Sequence, residues 1–209
     1  MSTFSTKNSD VLQKAVIRSV LLTFHDRIRH VVQVGACDGI AFDFYNAIWN
    51  IFKWPTTFVE PHPVLFGKLQ ETYAEADESC TFVNGAIDVT TGQKTMFQNL
   101  DDIFYGNSSF YQDVCPGGEP IDIQTYTWDH VLTPTTDLVI IDAEGHDSVL
   151  VKNLLTYATP KLIIWEATRV SDMDNLLTTL KAAGYKSIKG DTTGYNYISV
   201  LQPPKQEQE

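Results

Sequence analysis

From Asp10 onward the apolar residues Leu12, Val16, Val20, Phe24 and Ile28 recur at near-helical spacing, and Ser9 or Asp10 stands where a first turn is capped. Residues 10–30 are therefore predicted to contain a leading helix packed on the rest of the domain. Short apolar runs of strand length come next: VVQV at 31–34, TFVE at 57–60, TFVN at 81–84, DLVII at 137–141 and KLIIW at 161–165. Helix-like segments lie between them at about 42–53, 62–75, 146–157 and 171–183. Alternation of apolar strands with helices predicts a parallel sheet covered on both faces, the doubly wound α/β class. Gly184 stands after Ala182-Ala183 as a helix C-cap. The run at 185–189 and the alternating stretch Tyr195–Leu201 have no helix between them, so they are expected to pair antiparallel at one edge of the sheet.

Two stretches break this rhythm. Residues 99–120 (NLDDIFYGNSSFYQDVCPGGEP) hold three Gly, two Pro and several Asp and Ser, and a loop of this length in a compact domain is usually functional. Gly106, Gly117 and Gly118 supply backbone freedom, and Phe104, Tyr105, Phe110 and Tyr111 supply apolar surface, so a lid over an acceptor is expected there. The tail at 202–209 has no apolar side chain other than those of Pro203-Pro204 and is expected to be solvated and flexible. The remainder reads as one domain over residues 1–209, with residues 1–30 as its N-terminal helical segment.

Composition narrows the class of partner. With 43% hydrophobic and 20% charged residues the chain has the make-up of a soluble globular protein. Its net charge of −11 sets up a field that repels polyanions, which argues against bulk nucleic acid as a partner. No run of 18 apolar residues and no basic-then-apolar start is present, so no membrane partner and a cytoplasmic location are expected. Cys37, Cys80 and Cys115 are too few and too far apart for a disulfide framework or a CxxC metal site.

The candidate chemistry lies where strands end. Val34-Gly35-Ala36-Cys37-Asp38-Gly39 is a glycine-bearing turn after the first strand, at the edge where doubly wound sheets bind ligands, and it lacks the third glycine of a dinucleotide fingerprint. Glu60 closes the second strand 21 residues after Gly39, where a carboxylate accepts both ribose hydroxyls of an adenosine cofactor. Asn84-Gly85-Ala86-Ile87-Asp88 ends the third strand with small residues that let backbone groups approach an adenine edge. Asp142-Ala143-Glu144-Gly145-His146-Asp147 crowds three carboxylates and an imidazole at one strand terminus, and their mutual repulsion calls for compensating partners. Asp142 is positioned to point over the sheet edge. Glu144 and His146 suit polarising a nucleophile or holding a metal, and Asp147 suits the cap of the next helix. Glu166 adds an acid at the same edge and has Arg169 as an available partner.

VVQVGACDG, FVEPHPVLFGKL, FVNGAI, DLVIIDAEGHDSVL and PKLIIWE, in this order and spacing over about residues 31–200, resemble the FkbM family of S-adenosylmethionine-dependent methyltransferases. The resemblance implies a class I methyltransferase fold, Rossmann-like, with a seven-stranded sheet in the order 3-2-1-4-5-7-6, strand 7 antiparallel, and helices on both faces. It implies S-adenosylmethionine as cofactor, with Gly35, Cys37, Asp38 and Gly39 along its methionine and ribose part. Glu60 is then at the ribose hydroxyls, Asn84, Gly85, Ala86 and Ile87 at the adenine, and Asp142 at the methionine amino end. Gln33 departs from relatives that carry an acid there to fix the amino group, which leaves Asp38 or Asp142 to supply the charge. The expected reaction is O-methylation of a hydroxyl on a sugar or another small metabolite, with His146, Glu144 and Asp142, in that order, as candidates for handling the acceptor. No tightly held metal is expected, and oligomeric state is left open. The competing classes are a cofactor-binding protein without transfer, a nicotinamide oxidoreductase, and a metal-dependent hydrolase built on Asp142, Glu144, His146 and Asp147.

Overall fold

The computed structural model of the chain describes residues 15–40, 44–99 and 108–203. The elements are α1 (Ala15–Phe24), β1 (His30–Val34), α2 (Tyr45–Phe52), β2 (Thr56–Glu60), α3 (Pro63–Thr72), β3 (Thr81–Asn84), β4 (Ala86–Ile87), β5 (Gly92–Gln98), β6 (Glu119–Tyr126), β7 (Thr136–Ile141), α4 (Asp147–Tyr157), β8 (Leu162–Glu166), α5 (Met173–Ala182), β9 (Tyr185–Lys189) and β10 (Asn196–Leu201). Each predicted helix and strand has its counterpart, with ends shifted by a few residues. Ser9, Asp10 and Leu12, together with Phe104, Tyr105 and Gly106 of the expected lid and most of the tail, lie outside the described residues.

The main sheet has seven strands in the order β3-β2-β1-β7-β8-β10-β9. Numbered among themselves these run 3-2-1-4-5-7-6. All pairs are parallel except those of β10, which is antiparallel to both β8 and β9. The expected edge pair is thus present. Central strands are buried on both faces, so successive side chains feed two separate cores. Val31 joins Ile17 and Leu21 of α1, Trp49 of α2 and Leu69 of α3 on one face. Val32 and Val34 join Leu150 and Leu154 of α4 and Leu176 and Leu180 of α5 on the other. Among the described residues no helix is long and apolar enough to cross a membrane.

The expected plan of seven strands lacked a second sheet. β4, β6 and β5 form a three-stranded layer of their own, in which β5 and β6 pair antiparallel from Gly92↔Thr125 to Gln98↔Glu119. Residues 119 and 120, placed in the loop by composition, already belong to β6. β5 has no apolar run to mark it in the sequence, because GQKTMFQ buries only Met96.

At the carboxyl edge, the ends of β1 and β7 approach closely. Asp142 N–H donates to Val34 C=O at 3.0 Å. Gly35, at φ +76°, lies so near that a Cβ built on it would stand 1.8 Å from the Asp142 carbonyl oxygen. No side chain fits there without moving backbone, and the left-handed conformation adds its own cost to any L residue. Gly35→Ala is therefore expected to destabilise the fold by roughly 3 to 5 kcal/mol, seen as a fall of about 6 to 20 °C in thermal midpoint. Gly67 of α3 has nothing within 4 Å of its would-be Cβ, so Gly67→Ala in the same melt should hold or raise the midpoint.

Candidate functional site

Glu60 organises the edge between β1, β2 and β3. It is 5% exposed. Its Oε2 accepts the Cys37 N–H at 2.8 Å and its Oε1 accepts the His62 N–H at 2.8 Å. Burial pushes its carboxyl up to about 7 against the pull of these two donors. The Gly35–Gly39 turn is built on this acid and on β2: Gly35 and Ala36 N–H both donate to Val59 C=O, at 3.0 and 3.1 Å. Cys37 takes a left-handed conformation, φ +52°, that points its N–H at Glu60. Its thiol is pushed up to about 12, first by burial and then by the neighbouring Glu60 charge, which removes it as a nucleophile. Asp38 Oδ1 accepts the Ile40 N–H at 2.9 Å, and its carbonyl accepts Thr72 Oγ1 of α3 at 2.7 Å. Gly39 ends the turn, its N–H donating to Ala36 C=O at 3.0 Å.

The third strand joins through main-chain contacts. Glu60 C=O accepts both Asn84 Nδ2 at 2.9 Å and Gly85 N–H at 3.2 Å. Ala86 and Ile87 are buried in the cores, so only their backbone is available to a ligand. A cleft of about 340 Å³ opens beside Asn84, walled by Pro61 and His62 on one side and by Gln98, Ile123 and Gln124 of the second sheet on the other. That volume lies in the range of small-molecule sites. His62 also N-caps α3: its Nδ1 accepts from Val64 and Leu65 N–H at 3.2 and 3.4 Å, with Pro63 in the first helical position.

The loop after β7 departs from the expected roles. Asp142 is exposed at the edge, against Gly35. Asp147 is not the N-cap of α4. It is the first residue of that helix, and its carboxylate reaches backwards to accept the Ala143 and Gly145 N–H groups at 3.0 and 3.1 Å, clamping the loop. Burial, helped by the Glu166 charge, pushes its carboxyl up to about 7 against these donors. Glu144, at φ +45°, forms an ion pair with Arg169. Glu166 consequently does not pair with Arg169; it accepts from Thr168 Oγ1 instead.

His146 is 4% exposed and both of its ring nitrogens are engaged, Nε2 with Asp88 Oδ1 at 3.1 Å and Nδ1 with Tyr111 Oη at 2.9 Å. Burial lowers its pKa, against the raising effect of Asp88. The candidates thus fall into two groups. Gly35, Cys37, Asp38, Gly39, Glu60, Asn84, Gly85 and Asp142 lie at the ends of β1, β2, β3 and β7, along one edge of the sheet. Glu144 pairs with Arg169, and His146 with Asp88 and Tyr111. Of the residues that bind His146 or its partner, Lys94 carried no signal in the sequence, Asp88 figured only at the end of the third-strand run Asn84–Asp88, and Tyr111 only as apolar surface of the expected lid. Among the described residues no group of three or more His, Cys, Asp and Glu is placed to hold a metal ion.

The family model of the methyltransferase FkbM domain matches residues 33–187. Among solved structures, a methyltransferase FkbM from Methylobacillus flagellatus superposes with a TM-score of 0.53 at 13% identity, over 83% of this chain and 44% of that one. The chain therefore spans less than half of that protein's length. An O-methyltransferase from Bacillus cereus in complex with S-adenosylhomocysteine superposes with a TM-score of 0.52 at 13% identity, over 88% of this chain and 80% of that one. No curated protein matches the sequence. At these identities the structural likeness speaks for the fold, and the sequence match speaks for the family. The chain belongs to the FkbM methyltransferase family, whose cofactor is S-adenosylmethionine.

Proposed function

We propose that the protein transfers a methyl group from S-adenosylmethionine to a hydroxyl of a small, carbohydrate-like acceptor. The observation that carries this reading is Glu60, a buried acid at the end of β2 that ties the β1 turn to the β2 loop while each oxygen keeps a lone pair for a ribose hydroxyl. Gln33 supplies a second sign of fit: its Oε1 is buried and accepts no hydrogen bond among the described residues, which suits the donor-rich ammonium of the cofactor's amino acid end. Asp142, exposed beside Gly35, is the carboxylate we assign to the same end. Asn84, Gly85 and the cleft beside them take the adenine.

When bound, the cofactor supplies an activated methyl group, whose bond to sulfur breaks with its electron pair left on sulfur. The chain's task is then to hold the acceptor oxygen in line, at roughly 3 to 3.5 Å, and to take up the hydroxyl proton. A net charge of −11 favours a neutral, hydroxylated acceptor over a polyanion. Glu144, held by Arg169, is better suited to shaping the loop than to accepting a proton.

Calorimetry should find S-adenosylhomocysteine binding at roughly 10 μM or tighter and no binding of NAD at 1 mM. Glu60→Ala should weaken S-adenosylhomocysteine about ten- to hundredfold, because hydrogen bonds to a charged acceptor contribute roughly 1.5 to 3 kcal/mol. Unchanged affinity in a folded Glu60→Ala protein would remove the ribose assignment, and tight NAD binding would replace the methyltransferase reading with the oxidoreductase one.

A further inference from the structure

Residues 109–111, ahead of β6, are fastened to β5 and to the loop after β7. Ser109 and Phe97 exchange both backbone hydrogen bonds, at 2.8 and 2.9 Å. Ser109 Oγ donates to Glu144 C=O at 2.7 Å and accepts the Tyr111 N–H at 3.1 Å. Tyr111 is thereby placed with its hydroxyl on His146 Nδ1. Behind His146 stands Asp88, which also binds Lys94 Nζ at 2.8 Å and the Val89 N–H at 2.7 Å. Lys94 in turn lies 3.9 Å above the Phe110 ring, and that ring meets His146 edge-on at 5.2 Å. A carboxylate, an imidazole and a phenol are lined up from the buried interior to the surface.

The directions of these hydrogen bonds are set by charge. Burial works against the Asp88 carboxylate, but Lys94 and the Val89 N–H outweigh it and hold the carboxyl below its ordinary range. An ionised carboxylate only accepts, so the His146 proton sits on Nε2. Burial keeps the imidazole neutral, which leaves a lone pair on Nδ1, and Tyr111 must donate to it. The single phenol proton therefore points inward. Tyr111 is 38% exposed, and its oxygen, having donated its one proton, keeps a lone pair with which it can recognise a hydrogen-bond donor. Burial, with Asp88 and Asp113 nearby, raises the phenol's own pKa, so Tyr111 stays protonated unless its proton has somewhere to go.

We propose that Tyr111 is the catalytic residue that meets the acceptor hydroxyl and relays its proton to His146. This rests on the methyl-transfer reading above. The acceptor oxygen forms its bond to the methyl carbon as its proton passes to Tyr111 Oη, and the original Tyr111 proton passes to His146 Nδ1. The imidazolium so formed faces Asp88, and it carries the positive charge that the sulfonium gives up. His146 and Asp88 act through Tyr111, because His146 is buried with both ring nitrogens engaged. The charged groups around the relay are Asp88 and Lys94 at His146 and Asp113 at Tyr111.

The test joins a spectrum to a rate. Protein with 15N-labelled histidine is followed by NMR between pH 5.5 and 8.5. Release of S-adenosylhomocysteine from S-adenosylmethionine is measured with methyl α-D-glucopyranoside, methyl α-D-mannopyranoside, myo-inositol, glycerol and catechol as hydroxyl probes. We expect neutral His146 with its proton on Nε2 at pH 7.5, an Nδ1 resonance that moves in Tyr111→Phe, and at least one probe methylated by the wild type. Tyr111→Phe should lower kcat about a hundredfold while S-adenosylhomocysteine affinity stays within twofold. Wild-type kcat should climb with the deprotonation of His146 seen by NMR, with a midpoint below about 6.5. Tyr111→Phe that keeps more than half of kcat overturns the relay and leaves methyl transfer standing, whereas a wild type that methylates no probe overturns both. A His146 that is charged at pH 7.5, or that carries its proton on Nδ1, overturns the relay in the wild-type protein, whatever the variant's folding.

Discussion

A buried carboxylate that accepts backbone N–H groups from two different loops is the constraint on which this site depends. Taking Glu60 out of water disfavours its charge, and the Cys37 and His62 N–H groups compensate in part, leaving a carboxyl pushed up to about 7. Because one of those donors belongs to the β1 turn and the other to the start of α3, the acid fixes the spacing between the first two strand ends. Cys37 adopts its left-handed conformation to deliver its N–H, a local cost that the surrounding hydrogen bonds offset.

The same device recurs across the sheet. Asp147, also pushed up to about 7, accepts two N–H groups of the loop after β7, and that loop contains the second strained residue of the site, Glu144 at φ +45°. The two loops meet where Gly35 lies against the Asp142 carbonyl. Both acids have folded pKa values above their ordinary ones, so each contributes stability that is present in acid and is lost as pH rises towards 7. Fold stability is thereby exchanged for two ordered loops whose acids titrate close to neutral pH.

Much of this was legible in the sequence, for reasons that differ by residue. Buried parallel strands must be apolar runs, so β1, β2, β7 and β8 announced themselves, and the carboxyl edge beyond them drew attention to Gly35, Glu60, Asn84 and Asp142. The antiparallel edge pair was signalled by the missing helix between β9 and β10. The second sheet did not show, because β5 buries one apolar side chain and alternates too weakly to be distinguished from loop. Nor did the partners of His146. Asp88 lies 58 residues away from it and Tyr111 lies 35 away, and only the folded chain brings the end of β4, the residues ahead of β6 and the loop after β7 together. Asp147 looks like a helix cap by spacing alone, since local spacing cannot tell whether a carboxylate reaches forward into the helix or back into the loop. Glu166 and Arg169 are neighbours in sequence, yet Arg169 is drawn to Glu144 across the loop.

The central claim is that the cofactor's ribose hydroxyls bind the ionised form of Glu60. With its carboxyl pushed up to about 7, Glu60 is partly protonated in the free protein near neutral pH, and two hydroxyl donors would stabilise the carboxylate and drive that proton off. Calorimetric titration of S-adenosylhomocysteine at pH 7, in buffers of different ionisation enthalpy, measures the proton directly. Net proton release on cofactor binding in the wild type, absent in Glu60→Gln, is the predicted result. Proton uptake, or a release of the same size in Glu60→Gln, would contradict the account.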